Sequence, residues 1–348
     1  MKGCLYIVIA LLAVTALCGA SSGFLTSLNV STLLDGPLGE PALPTVSLPA
    51  ERISGSVNIL GFETGLTNTM VATILTDIIL VAVAFFATRK IRSGSEQAWV
   101  PRGLQNVIEM IVETLYGFAE PVLHGRTAQV FWLGATIFFF VWIANWMELI
   151  PGVDAIGWVE KAHDATLTTY NKGEFLGLAT VKGPAIPPKT SESPSTEEHA
   201  EPEGYILVPF VRAAATDLNV TLALALIAVV AVQVYGLQAQ RAGYLSKFVN
   251  TRQLSQGKPM GLLDVFVGVL ESISEVSKVI SFAFRLFGNI FAGQVLLFVM
   301  GFLIPFLFAG ILIFWGLEIF VGLIQAFVFM MLTFVFIAQA TAGHGEAH

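Results

Sequence analysis

Charge is what this sequence has little of. Only 12% of its 348 residues are charged, while 55% are hydrophobic; an ordinary soluble domain carries about 25% charged residues. That density excludes a soluble two-domain enzyme of this length. Basic residues are outnumbered by acidic ones, 18 to 25, giving a net charge of −7, which excludes a nucleic-acid binder built on a basic face. Cysteine is nearly missing. Cys4 and Cys18 both lie near the N-terminus, so neither a disulfide framework nor a cysteine-based zinc site is available. Histidine is scarce too. His124, His163, His199, His344 and His348 all fall outside the long apolar runs, which argues against a membrane-embedded metalloenzyme. No metal and no cofactor is expected.

What the chain has instead is apolar runs of about 20 residues, the length that crosses a hydrocarbon core about 30 Å thick. Residues 66–87 hold one charge, Asp77, and residues 130–147 and 218–240 hold none. Residues 279–343 hold two, Arg285 and Glu318, and Pro305 with its neighbouring glycines divides them into two helices. Five crossings are predicted: 66–87, 130–150, 213–240, 261–300 and 306–340. Residues 103–123 read differently. Leu104, Val107, Ile108, Ile111, Val112, Leu115, Phe118 and Val122 recur at helical spacing, with Glu109, Glu113 and Glu120 between them. That pattern predicts an amphipathic helix lying in the interface or packed on other helices. The fold class is all-α, a polytopic membrane protein.

Basic residues in short loops set orientation. Arg89, Lys90, Arg92 and Arg102 stand against Glu96 in one loop, and Arg241, Lys247, Arg252 and Lys258 meet no acid in another. Both loops are expected in the cytoplasm. Residues 152–204 carry nine acids and four lysines and are expected outside. Their stretch 184–204, rich in Pro, Ser, Thr and Glu, buries too little apolar surface to order itself, so a flexible exterior loop is predicted. Residues 1–20 resemble a secretory signal, with an uncleaved extra helix as the alternative. Cleavage leaves an exterior segment 21–65, a membrane domain 66–340 interrupted by an acidic, flexible exterior loop 152–204, and a cytoplasmic tail 341–348.

Arg285 is the most informative residue. A guanidinium at mid-bilayer costs at least about 2.5 kcal/mol and cannot shed its proton, so something compensates it. A static ion pair with a neighbouring helix is the plain reading; a functional charge is the sharper one. Glu271, Ser274, Lys278, Ser281, Arg285, Gly288 and Ala292 follow at spacings of three and four and share one helix face, bordered by Asn289. Small residues there let another helix approach closely. This narrow polar seam reads either as a static helix contact or as a surface past which a partner moves. On the last helix Glu318, Gly322 and Gln325 lie at i, i+4 and i+7, again on one face, where a buried carboxyl can take up and release a proton. Asp77 is read as a structural acid hydrogen-bonded near Thr73 and Thr76, with no assigned role.

Residues 281–293, Ser-Phe-Ala-Phe-Arg-Leu-Phe-Gly-Asn-Ile-Phe-Ala-Gly, closely resemble the signature of the a subunit of rotary F-type ATP synthases. Residues 324–329 (Ile-Gln-Ala-Phe-Val-Phe), 216–221 (Thr-Asp-Leu-Asn-Val-Thr) and 145–152 (Asn-Trp-Met-Glu-Leu-Ile-Pro-Gly) fit the same family, in order, over about residues 60–340. The resemblance implies a stator that faces a ring of hairpin c subunits, each with one essential carboxylate, through the long tilted helices 261–300 and 306–340. It also implies b-type peripheral stalk subunits, a bacterial inner membrane, an exterior mature N-terminus and a cytoplasmic C-terminus. No catalytic chemistry is implied for this chain alone.

Carried over position by position, the resemblance makes Arg285 the essential charge facing the ring carboxylate, with Gln325 orienting it. Glu271, Ser274 and Lys278 fall on the cytoplasmic half-channel. Glu318 and Gln294 fall on the exterior one, lined by Asn145, Glu148, Asp217 and Asn219. Ser281, Gly288, Asn289 and Arg212 are supporting. Asp217 also suits a plain helix cap. The chain departs from many relatives in having uncharged Gln294 and acidic Glu318, which assigns most exterior proton traffic to Glu318. The proline usual between Arg212 and Asp217 is replaced by Ala214. Protons are favoured over sodium as the coupling ion. The competing reading is an independent ion channel or secondary transporter, but no repeated half of the kind such proteins carry is visible.

Overall fold

The structure, a computed structural model, describes residues 57–59, 62–64, 67–89, 103–150, 153, 156–161, 169–175, 178–186, 205–245, 261–303 and 308–342. The signal-like segment, most of the basic loop residues, Pro305 and the tail histidines lie outside them. After a hairpin of β1 (Val57–Ile59) and β2 (Phe62–Thr64) come α1 (Asn68–Thr88), α2 (Leu104–Leu123) and α3 (Thr127–Glu148). Four strands follow: β3 (Gly157–Lys161), β4 (Thr169–Phe175), β5 (Leu178–Ile186) and β6 (Tyr205–Pro209). A 3₁₀ turn, Ala214–Thr216, leads into α4 (Leu218–Gln240), α5 (Ala242–Leu245), α6 (Gly261–Leu303) and α7 (Phe308–Thr341).

Among the described residues five helices are long and apolar enough to cross a membrane, with spans Asn68–Thr88, Thr127–Glu148, Leu218–Gln240, Val265–Leu297 and Ile313–Thr341. Each coincides with a crossing predicted from the runs. The reason is simple: in hydrocarbon every backbone N–H and C=O must be satisfied within its own segment. The 43-residue α6 is about 65 Å long at 1.5 Å per residue, twice the hydrocarbon thickness. The amphipathic α2 is also a helix, and it turns into α3 through left-handed His124 (φ 44) and Gly125 (φ 83).

One expectation is corrected. Residues 152–204 are not wholly a flexible loop, because strands occupy much of 157–186. They join β6 in a sheet of order β3-β6-β4-β5, with β3 and β6 antiparallel from Gly157 opposite Pro209 to Lys161 opposite Tyr205. The β-branched and aromatic residues of these stretches, such as Trp158, Val159, Tyr205 and Val208, favour a pleated surface; the acidic, proline-rich composition of residues 187–204, which lie outside the described residues, obscured that signal.

The chain divides into two compact units. The first takes in Met1–Ile74, Ala144–Asp217 and Ile290–Phe320, the second Leu75–Ile143, Leu218–Asn289 and Val321–His348. Inside the first, two indoles tie α3 to α7: Trp146 Nε1 donates to the Ile319 carbonyl at 3.1 Å and Trp315 Nε1 to the Leu149 carbonyl at 2.8 Å. The second is an aromatic and small-residue pack. Phe131 stacks on Phe334, and Phe118 meets Phe327 edge-on at 5.4 Å. Helix α4 buries Thr221, Ala225, Ala228, Val229, Val232 and Gly236 along one face, the small-residue stripe by which membrane helices approach closely.

Candidate functional site

Helix α6 carries the seam. Within the second unit Ser274, Ser281, Arg285 and Gly288 all lie on the outside of the chain, with Glu271, Lys278 and Asn289 half-buried. The shared face predicted from spacings of three and four is thus left uncovered by the described helices. Arg285 stands on it, and no carboxylate among the described residues lies in ion-pair range of it. Ser274, Ser277, Lys278, Ser281 and Arg285 of α6, with Phe282, line a cleft of about 250 Å³, completed by Leu332 and Phe336 of α7.

The two helices run antiparallel there. Phe282 packs on Phe329 at 4.7 Å and on Phe336 at 5.5 Å, and Lys278 Nζ sits 5.0 Å from the centre of the Phe336 ring. Continuing that register brings Gln325 to within about two turns of Arg285. Gln325 is buried, and its amide nitrogen meets no hydrogen-bond partner among the described residues.

Lys278 pairs with a residue that the spacing argument passed over. Its Nζ lies 2.8 Å from Glu275 Oε1. Gln233 Nε2 of α4 donates to Glu275 Oε2 at 2.8 Å, and Tyr244 of α5 donates its hydroxyl to Gln233 Oε1 at 2.8 Å. Glu275 and Tyr244 are both buried, and a Cβ on Gly236 would meet the Tyr244 ring. The i, i+3 spacing of Glu275 and Lys278 was a usable signal; the contributions of Gln233 and Tyr244 come from distant elements and had none.

In the first unit the structure buries Asn145, Arg212, Asp217, Gln294 and Glu318 to 9% exposure or less, and Glu148 is half-buried. Burying so many polar groups among apolar helices is costly unless they are hydrogen-bonded or used. A Cβ on Gly293 of α6 would overlap the Glu318 carboxyl of α7, so the two helices touch at that point. Asp217 directly precedes α4 in extended conformation, where a helix cap is placed. Its Oδ2 accepts a hydrogen bond from Thr69 Oγ1 of α1 at 2.8 Å. Thr69 and its neighbour Asn68 are fully buried, and neither was singled out in the sequence. Asn219 is exposed and belongs to the second unit.

Asp77 corrects a second expectation. It is exposed on α1, and the Thr73 hydroxyl donates to the Thr69 carbonyl instead of to the acid. Threonine in a helix readily bonds back to the carbonyl four residues earlier, so the Thr73 hydroxyl is not given to Asp77.

With the geometry set out, comparison with known proteins gives a consistent answer. The family described as ATP synthase A chain matches residues 70–338. A protein of Mycobacterium ulcerans named ATP synthase subunit a is 29% identical over 287 residues, covering 81% of this chain and 90% of that protein. A Shewanella protein of the same name is 31% identical over 249 residues, 71% of this chain and 74% of its own length. A Photobacterium profundum protein named ATP synthase subunit a 1 is 29% identical over 291 residues, 83% and 90% of the two chains.

Proposed function

The chain belongs to the ATP synthase A chain family, and from that premise we propose which of its residues move protons and how. It is a multi-pass membrane subunit of a bacterial ATP synthase, serving in the proton-translocating stator. Family membership takes the place of the channel or transporter alternative. In the proposed mechanism Arg285 is the charge that a ring of c subunits, each bearing one carboxylate, sweeps past.

One observation carries this reading above the others: Arg285 is a permanent cation on an uncovered, small-residue face, without a carboxylate partner among the described residues. A fixed cation near a carboxyl favours its charged form. A ring carboxylic acid arriving at Arg285 therefore releases its proton into the cytoplasmic path, which Glu271, Ser274 and Lys278 border. After moving on, it is reprotonated from the exterior path and returns to lipid neutral. Ser281, Gly288 and Asn289 keep the face narrow enough for the ring helices, and Gln325 orients the guanidinium.

The exterior path is assigned to Glu318 and Gln294, with Asn145, Glu148, Asp217 and Asn219 along it and Arg212 in support. The burial of five of these seven side chains in the first unit supports the assignment. Glu318 is the titrating member of the pair, because the Gln294 amide does not ionise. We place the acidic segment outside and the basic loops and C-terminal tail in the cytoplasm, with b-type stalk subunits holding the chain against rotation.

The test uses the whole complex in vesicles. Arg285→Ala should abolish ATP synthesis driven by a proton gradient while the complex still assembles and its catalytic head still hydrolyses ATP. Synthesis at the wild-type rate sinks the role given to Arg285.

A further inference from the structure

Resting on that reading of Arg285, we propose that Glu275, backed by Gln233 and Tyr244, is a positioning residue of the cytoplasmic proton path. It pins Lys278 to the wall of the cleft and cancels its charge, so that among the described residues lining the cleft Arg285 is the cation left uncompensated for a ring carboxylate. The geometry that carries this lies wholly within the second unit.

Lysine is a point charge on a flexible four-carbon stem. Lys278 lies seven residues from Arg285, about 10 Å along the helix, and both line the same cleft. Left free, it would compete with Arg285 for an arriving carboxylate. Instead Nζ is held 2.8 Å from Glu275 Oε1, with the Phe336 ring 5.0 Å away on another side. The other carboxylate oxygen is occupied too, by Gln233 Nε2 at 2.8 Å.

The hydrogen bonds have one direction. Tyr244 donates its only proton to Gln233 Oε1, which fixes the amide with its N–H₂ toward Glu275. Glu275 then accepts at both oxygens, an arrangement that a carboxylate completes and a carboxylic acid does not. The support is buried: Tyr244 is 2% exposed and Glu275 8%, and the absence of a Cβ at Gly236 gives the Tyr244 ring its place. Buried networks of this kind, fully satisfied, hold their members in one geometry. Glu275 touches no reacting group itself; it acts through Lys278.

The experiment is a double-mutant cycle in vesicles bearing the whole complex. Glu275→Gln keeps the shape and removes the charge, freeing Lys278 as a second cation. It should lower proton-driven ATP synthesis about tenfold with the complex assembled. Adding Lys278→Gln removes the freed cation and should raise the rate above that of the single variant. A packing role predicts the opposite, that the double variant is no better than the single. Wild-type synthesis in Glu275→Gln, or no rescue in the double variant, overturns the proposal. Tyr244→Phe removes one hydroxyl and little volume, so it decides the matter if the Glu275 variants do not assemble. It should slow synthesis about threefold, and an unchanged rate overturns the proposal as well. Arg285→Ala, run in parallel, separates the two readings. If it retains synthesis, the stator role of Arg285 falls; if it abolishes synthesis while Glu275→Gln does not, only the positioning role falls.

Discussion

In the exterior path we propose, a missing Cβ governs as much as any charge does. Glu318 occupies the space that a side chain on Gly293 would take, so the carboxyl is seated by what α6 lacks. Gly293→Ala should displace it and slow proton translocation about tenfold or more, since small misplacements of a reacting group are expensive. Passive proton uptake by vesicles stripped of the catalytic head reads this directly, and uptake at the wild-type rate would show that the seat does not matter. Glu318→Gln should slow uptake more than Gln294→Ala does, because only the first removes a titrating group; the reverse order refutes the assignment of Glu318. Both residues were visible in the sequence because each interrupts an apolar run. Glu275, which is as buried, was signalled only by its spacing to Lys278. It lies four residues after Glu271 and three before Lys278, at the edge of the same face, where the small and polar residues from Ser274 onward drew the seam to one side of it.

At the scale of elements, α3 and α7 are joined where Gly134 admits the Phe334 ring, which also stacks on Phe131. In a membrane this contact cannot draw on the hydrophobic effect, since lipid is as apolar as the ring, and dispersion and close approach hold it. A methyl group at Gly134 would overlap the Phe334 ring and crowd Met330. Gly134→Ala is therefore expected to destabilise the helix pair by about 1–3 kcal/mol, seen as earlier thermal loss of the complex in detergent; an unchanged transition refutes the contact. The helices themselves were legible because their code is coarse. A run of about 20 apolar residues has one structural outcome in lipid, and α1, α3, α4, α6 and α7 all follow it. The sheet was not, because its strands sit within an acidic segment whose composition averages away local patterns such as Trp158-Val159. Nor was the link from Thr69 to Asp217, made by residues 148 positions apart, which periodicity within either helix does not report.

For the molecule as a whole, the charges that are costly and the charges that are cheap do different work. Arg285 and Glu318 lie in apolar spans, while Arg89, Arg241 and Lys161 are exposed at the ends of elements and bear on topology. Basic residues in short loops stay in the cytoplasm, and on that rule we propose that Arg89 and Arg241 lie on that side and the sheet with Lys161 on the other. Because Cys4 and Cys18 are the chain's only cysteines, replacing both with Ser gives a clean background for single-cysteine labelling in the assembled complex. A membrane-impermeant thiol reagent should label Lys161→Cys in intact cells stripped of their outer barrier, and Arg89→Cys and Arg241→Cys only in inverted vesicles. The direction of proton flow depends on this result. If Arg241→Cys is labelled from outside and Lys161→Cys is protected, the set around Glu318 becomes the cytoplasmic path and the cleft beside Arg285 the exterior one. The roles proposed for Glu318 and Lys278 would then exchange, while that of Arg285, a fixed cation between a proton donor and a proton acceptor, would stand.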